Sequence, residues 1–127
     1  MTVRYIALLT GLLLVGHPVA GASQEGQVIE ALIDAAGPEA QFSFYRTAAG
    51  AEIDLDIERG GQLAFAIEIK RSTAPKSEQG FYWGASDIGA ARRIVITPGK
   101  DRCPLRDGAE VMPRLTALEE VAPGAAA

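Results

Sequence analysis

With 127 residues the chain can hold one domain at most, and a globule of that size buries roughly two-thirds of its unfolded surface. A net charge of −4 argues against a strong general nucleic-acid binder. One cysteine, Cys103, and one histidine, His17, exclude an internal disulfide, a zinc finger, a histidine-based zinc hydrolase and a Cys–His dyad.

Met1–Ala22 is mostly apolar. Arg4 precedes the run Tyr5–Val15, and Ala20-Gly21-Ala22 has the form of a signal-peptidase site, so a secretory signal peptide is one reading. The segment is too short for a stable membrane span. Ser23 can cap a helix over Gln24–Ala36, with Val28, Ile29, Leu32 and Ile33 as its apolar stripe and Gly37-Pro38 as its end. Glu25 falls in the first turn, where the helix dipole favours a carboxylate. Gln41–Arg46 reads as a short strand with Phe42 and Phe44 on one face. Ala48-Ala49-Gly50 then turns into an acidic strand, where Ile53, Leu55 and Ile57 alternate with Glu52, Asp54, Asp56 and Glu58. Gly60-Gly61 supplies a tight turn, and Leu63–Lys70 is apolar enough to be a central strand.

Beyond that strand, Ser72–Gln79 is a polar loop holding Pro75, and Gly80–Ile88 is a weak helix. Its Phe81, Tyr82 and Trp83 read as core or partner-facing residues, with base stacking as the alternative. Arg93–Thr97 is a short strand ended by Pro98-Gly99, Ala109–Met112 a last edge strand, and Leu115–Val121 a closing helical turn before a disordered tail over residues 122–127. There is no internal repeat. No Gly-x-x-x-x-Gly-Lys-Ser/Thr loop occurs, which excludes ATP binding of the P-loop kind. The predicted order is helix, three antiparallel strands, helix, strand. That is an α/β (α+β) chain with a central mixed sheet flanked by helices.

The chemistry concentrates on the hairpin. Glu68 and Lys70 flank Ile69, and side chains two apart on a strand share a face, roughly 7 Å apart. If the strands pair across the glycines, Asp54 joins them at one end of the sheet. Clustered carboxylates repel each other, and a divalent cation relieves that repulsion. From Arg59 to Arg106 there are nine Lys or Arg against four Asp or Glu, so the half that holds this strand is locally basic. Scattered solvated charges or a modest phosphate-facing surface would both produce that count.

Asp54, a turn, and then Glu68-Ile69-Lys70 at the end of an apolar strand resembles the PD-(D/E)xK nuclease core. More closely, residues 16–121 resemble a domain at the C-terminus of a group of bacterial and archaeal AAA-type ATPases. The stretches that carry this are Gly16-His17-Pro18-Val19-Ala20-Gly21-Ala22-Ser23, Glu25-Gly26, Val28-Ile29-Glu30, Phe44-Tyr45-Arg46, Gly50-Ala51-Glu52-Ile53-Asp54-Leu55 and Ala66-Ile67-Glu68-Ile69-Lys70. The resemblance implies a restriction-endonuclease-like core over residues 23–121. It implies Mg²⁺, with Mn²⁺ able to substitute, held by Asp54, Glu68 and the Ile69 carbonyl. Asp54, Glu68, Lys70 and Glu25 would be catalytic, Glu25 being the helix position that matches and Glu30 the second candidate, about 140° away around the helix. DNA and an AAA-type ATPase would be partners, in the cytoplasm. Residues 1–22 would then be an internal helix leading into the domain rather than a signal.

The departures from the pattern are Gln24 and Gln27, where relatives carry bulky apolar residues, and Asp56, at a position usually apolar. They leave two alternatives. One is a truncated, noncatalytic module that binds a partner or DNA. The other is a small secreted protein.

Overall fold

The computed structural model describes residues 24–71 and 79–124, together with the backbone of the strand Thr2–Tyr5. The chain order is β1 (Thr2–Tyr5), α1 (Gln24–Ala36), β2 (Gln41–Thr47), β3 (Glu52–Arg59), β4 (Gln62–Ile69), α2 (Gln79–Ile88), β5 (Arg92–Thr97), β6 (Cys103–Pro104), β7 (Ala109–Pro113) and α3 (Arg114–Val121). All seven strands form one sheet in the order β1-β2-β3-β4-β5-β7-β6. β1 to β4 run antiparallel in sequence, β4-β5 and β5-β7 are parallel, and β6 returns antiparallel on β7. The expected run of helix, three antiparallel strands, helix and strand is present in α1-β2-β3-β4-α2-β5.

The sheet lies between two helical layers. Val28, Ile29, Leu32 and Ala36 of α1 and Ala117 and Val121 of α3 pack on one face, against Leu55, Ile57, Phe65, Ile67, Ile94 and Ile96. Phe81, Tyr82 and Ala85 of α2 pack on the other, against Tyr45, Ile53, Ala66, Val95 and Val111. Gly37, at φ 88, closes α1 in the left-handed conformation, its N–H donating to the Ile33 carbonyl. Gly60 and Gly61, at φ 63 and 78, form the two-residue turn that joins Arg59 to Gln62 across the hairpin. Arg59 then ties the layers together. Its Nη2 donates to the Ala36 carbonyl (3.0 Å) and the Val121 carbonyl (2.6 Å), capping the C-termini of α1 and α3 at once.

Several expectations are revised. Ile53, Leu55 and Ile57 do not share a face. The pairing shifts from Ser43↔Asp56 to Tyr45↔Ile53, so two residues of β3, Asp54 and Leu55, oppose Phe44 alone. This β-bulge turns Ile53 towards α2 while Leu55 and Ile57 face α1 and α3. Asp56 is therefore turned inward, away from the sheet end; it is fully buried and accepts a hydrogen bond from Ser43 Oγ at 3.2 Å. Gln24 and Gln27, expected at packed positions, are exposed. β7 is no edge strand, because β6 covers its outer side. The closing turn is a two-turn helix, α3, that packs against α1. Thr2–Tyr5 pairs as a strand along β2, whereas the rest of the helix or signal expected over residues 1–22 and the Ser23 cap fall outside the described residues, as does the polar loop expected over Ser72–Gln79 except for Gln79, which begins α2.

Candidate functional site

The bulge in β3 and the end of β4 create the site. Beyond the pair Leu55↔Ile67, the β3 backbone no longer bonds to β4 in regular register. The Asp54 side chain takes over: its Oδ2 accepts the Ile69 N–H at 2.8 Å. N–H and C=O of one extended residue point to the same edge, so the Ile69 carbonyl lies on the Asp54 side. On the other edge the Lys70 N–H donates to the Ile96 carbonyl, and Pro98 brings no N–H with which to extend the ladder.

A cleft of about 540 Å³ opens at this sheet end. It lies between the first turn of α1, represented by Glu25, and the first turn of α2, represented by Gln79, Gly80 and Phe81. Asp54, Glu68, Ile69 and Lys70 line it, so the structure brings together every residue of the predicted set. Glu68 and Lys70 sit side by side, with Nζ 4.0 Å from Oε1, and both are largely buried. Glu30 is exposed on α1 and does not line the cleft.

Arg46 and Arg71 also line the cleft, and sequence reasoning gave neither a role. Arg71 Nε lies 3.4 Å from Glu25 Oε1, and Arg46 Nη1 lies 2.7 Å from Glu52 Oε1 at the rim. A signal existed for both. Arg71 follows the Glu-x-Lys strand directly, and Arg46 belongs to the Phe44-Tyr45-Arg46 stretch.

The electrostatics are those of crowded acids. Four carboxylates (Glu25, Glu52, Asp54, Glu68) and three cations (Arg46, Lys70, Arg71) line the cleft, a net of one negative charge. Burial pushes the Asp54 carboxyl up to about 6, the carboxylates of Glu25 and Glu52 adding to the effect. The Ile69 N–H and Arg46 pull the other way without cancelling it. A hard divalent cation suits such oxygen donors and would offset the repulsion that burdens the Asp54 carboxylate. Among the described residues no three His, Cys, Asp or Glu side chains are grouped at ligand spacing. A cation would thus rest on Asp54, Glu68 and the Ile69 carbonyl, few protein ligands but compatible with Mg²⁺, which keeps several waters.

A mixed sheet between two helical layers, with an acid–lysine cleft at one strand end, defines an α+β domain with a polar site. Residues 20–116 match the domain of unknown function DUF4143, and the chain belongs to that family. It is 33% identical over 110 residues to the uncharacterized protein Rv2008c of Mycobacterium tuberculosis, and equally to the uncharacterized protein Mb2031c of Mycobacterium bovis. The match takes in 87% of this chain but 24% of each relative, so the chain spans about a quarter of their length. No solved structure matches it. Among the described residues no helix is long and apolar enough to cross a membrane.

Proposed function

We propose that the cleft is a Mg²⁺-dependent site for hydrolysing DNA phosphodiesters, of the PD-(D/E)xK kind, in a domain that belongs at the C-terminus of an AAA-type ATPase family protein. The observation that carries the reading is the convergence of Asp54, Glu68, Lys70 and Glu25 on one cleft at the end of β4. Asp54, Glu68 and the Ile69 carbonyl would hold the cation, which when bound supplies a more acidic water and positive charge beside the phosphate. Lys70 would orient the attacking water or neutralise the charge that builds on the phosphate oxygens. Glu25, across the cleft, would accept a hydrogen bond from water and hold it in position. The test is DNA cleavage with Mg²⁺ on duplex, branched and single-stranded substrates. Wild type cleaves, and Glu68→Ala loses cleavage while keeping its circular dichroism. Persistent cleavage by purified, folded Glu68→Ala would contradict the assignment.

A second reading is a noncatalytic accessory module that uses this surface to bind DNA or a protein partner. Two observations favour it: no third acidic side chain is grouped with Asp54 and Glu68 at ligand spacing among the described residues, and Glu25 is engaged by Arg71. On that reading neither Mg²⁺ nor Mn²⁺ supports cleavage, and the protein elutes from native extract in a defined complex. Elution as a free monomer would count against it.

A further inference from the structure

Of the three consecutive aromatic residues on α2, the structure buries two. Phe81 and Tyr82 are 1% and 6% exposed and meet edge to face, with ring centroids 5.9 Å apart. The Arg106 guanidinium covers the Tyr82 ring, 4.1 Å from its centroid. Trp83 is different: it is 49% exposed, although an indole is among the most favourable side chains to bury. Its position follows from two glycines. A Cβ at Gly80 would run into the Gly50 carbonyl oxygen, and a Cβ at Gly84 would lie 2.8 Å from Ile53 Cγ1. The absence of both lets α2 settle directly on the start of β3 and on the turn before it. Trp83 is thereby set against Gly50, its Cζ3 3.9 Å from where a Cβ on Gly50 would stand. Gly50, held at φ 102, has no side chain to cover the indole. Gly50 and Gly80 both line the cleft, while Trp83 itself does not; its indole lies beside the cleft, against Gly50. Arg46 and Arg71 line the same cleft, paired there with Glu52 and Glu25.

We propose that Trp83 is a stacking platform for an unpaired base of a nucleic-acid strand whose phosphate occupies the neighbouring cleft. The inference rests on the phosphodiester reading of that cleft and adds the form of the substrate: a strand with at least one base free of its partner. Every base has a π-face, so the platform selects for unpaired bases and not for sequence.

Trp83 is the only tryptophan in the chain, so its emission reports on this site alone. The full chain is titrated, in Mg²⁺ buffer, with oligothymidylate bearing hydrolysis-resistant phosphorothioate linkages, and with an abasic strand of the same length and linkage. Binding is followed separately by anisotropy of a labelled strand. The base-bearing strand should quench the emission to saturation, and the abasic strand should bind more weakly without quenching. Trp83→Ala should weaken oligothymidylate binding by about tenfold to a hundredfold, and Trp83→Phe should retain most of it. The inference is overturned if the strand binds with no change in emission, if Trp83→Ala binds it as tightly as wild type, or if wild type binds no strand. Metal binding measured by calorimetry separates this from failure of the cleft reading. Base-dependent quenching without Mg²⁺ binding sinks the metal site and leaves the platform. Mg²⁺ binding without quenching does the reverse.

Discussion

Asp54 is the residue on which fold and site meet. Its carboxylate takes the Ile69 N–H where the β3 backbone has bulged away, so it closes the sheet and faces the cleft at once. The arrangement has a cost. A carboxyl whose folded value is raised from 3.8 to about 6 contributes stability below its unfolded value, and loses it as the pH rises through 6, because the folded state then must hold a charge it disfavours. Asp54→Asn keeps an oxygen for the Ile69 N–H and removes the charge. In metal-free buffer it should raise stability by about 1–3 kcal/mol at pH 7.5 and by almost nothing near pH 3.5. Urea denaturation at the two values measures this. A variant less stable than wild type at pH 7.5 would show that the hydrogen bond to the charged form outweighs the burial of that charge.

At the scale of elements, α2 sets the width of the cleft. Gly80 allows its first turn to touch the Gly50 carbonyl, and Gly84, one turn on, allows contact with Ile53. Gly80→Ala should therefore destabilise the fold by about 1–3 kcal/mol, although alanine is the better helix former. Chemical denaturation checks it, and a neutral or stabilising result would mean that α2 is seated less tightly than described. This level was legible in the sequence only in part. Gly60-Gly61, the central strand and the α1 stripe were readable because turn chemistry and hydrophobic period are local signals. The bulge at Asp54–Leu55 was not. Ile53, Leu55 and Ile57 keep an unbroken period of two in the sequence, and only pairing with β2 shows that the face changes between Ile53 and Leu55. The same applies to β7. Ala109–Met112 is readable as a strand, but its parallel place beside β5 and its cover by β6 are decided by tertiary packing. Glu68 and Lys70 were found because two charges interrupt an apolar strand. The partners Arg46 and Arg71 are ordinary surface residues until the fold draws them to the same cleft.

For the molecule as a whole, the central question is charge. The chain carries −4, and its cleft carries one net negative charge. Hydrolysis of a phosphodiester in such a site calls for a reversal of that sign, which one divalent cation on Asp54 and Glu68 would supply by making the cleft net positive. The cleft lies at the carboxyl end of β4, the strand where the sheet changes from antiparallel to parallel pairing, a place where open sheets commonly hold ligands. The hydrolytic role of the cleft therefore depends on cation binding. The most direct measurement is titration calorimetry of folded wild type and of Asp54→Asn with Mg²⁺, repeated with Mn²⁺. Saturable binding to wild type that is lost in Asp54→Asn is the expected result. Absence of binding to folded wild type, or equal binding to both proteins, would contradict it.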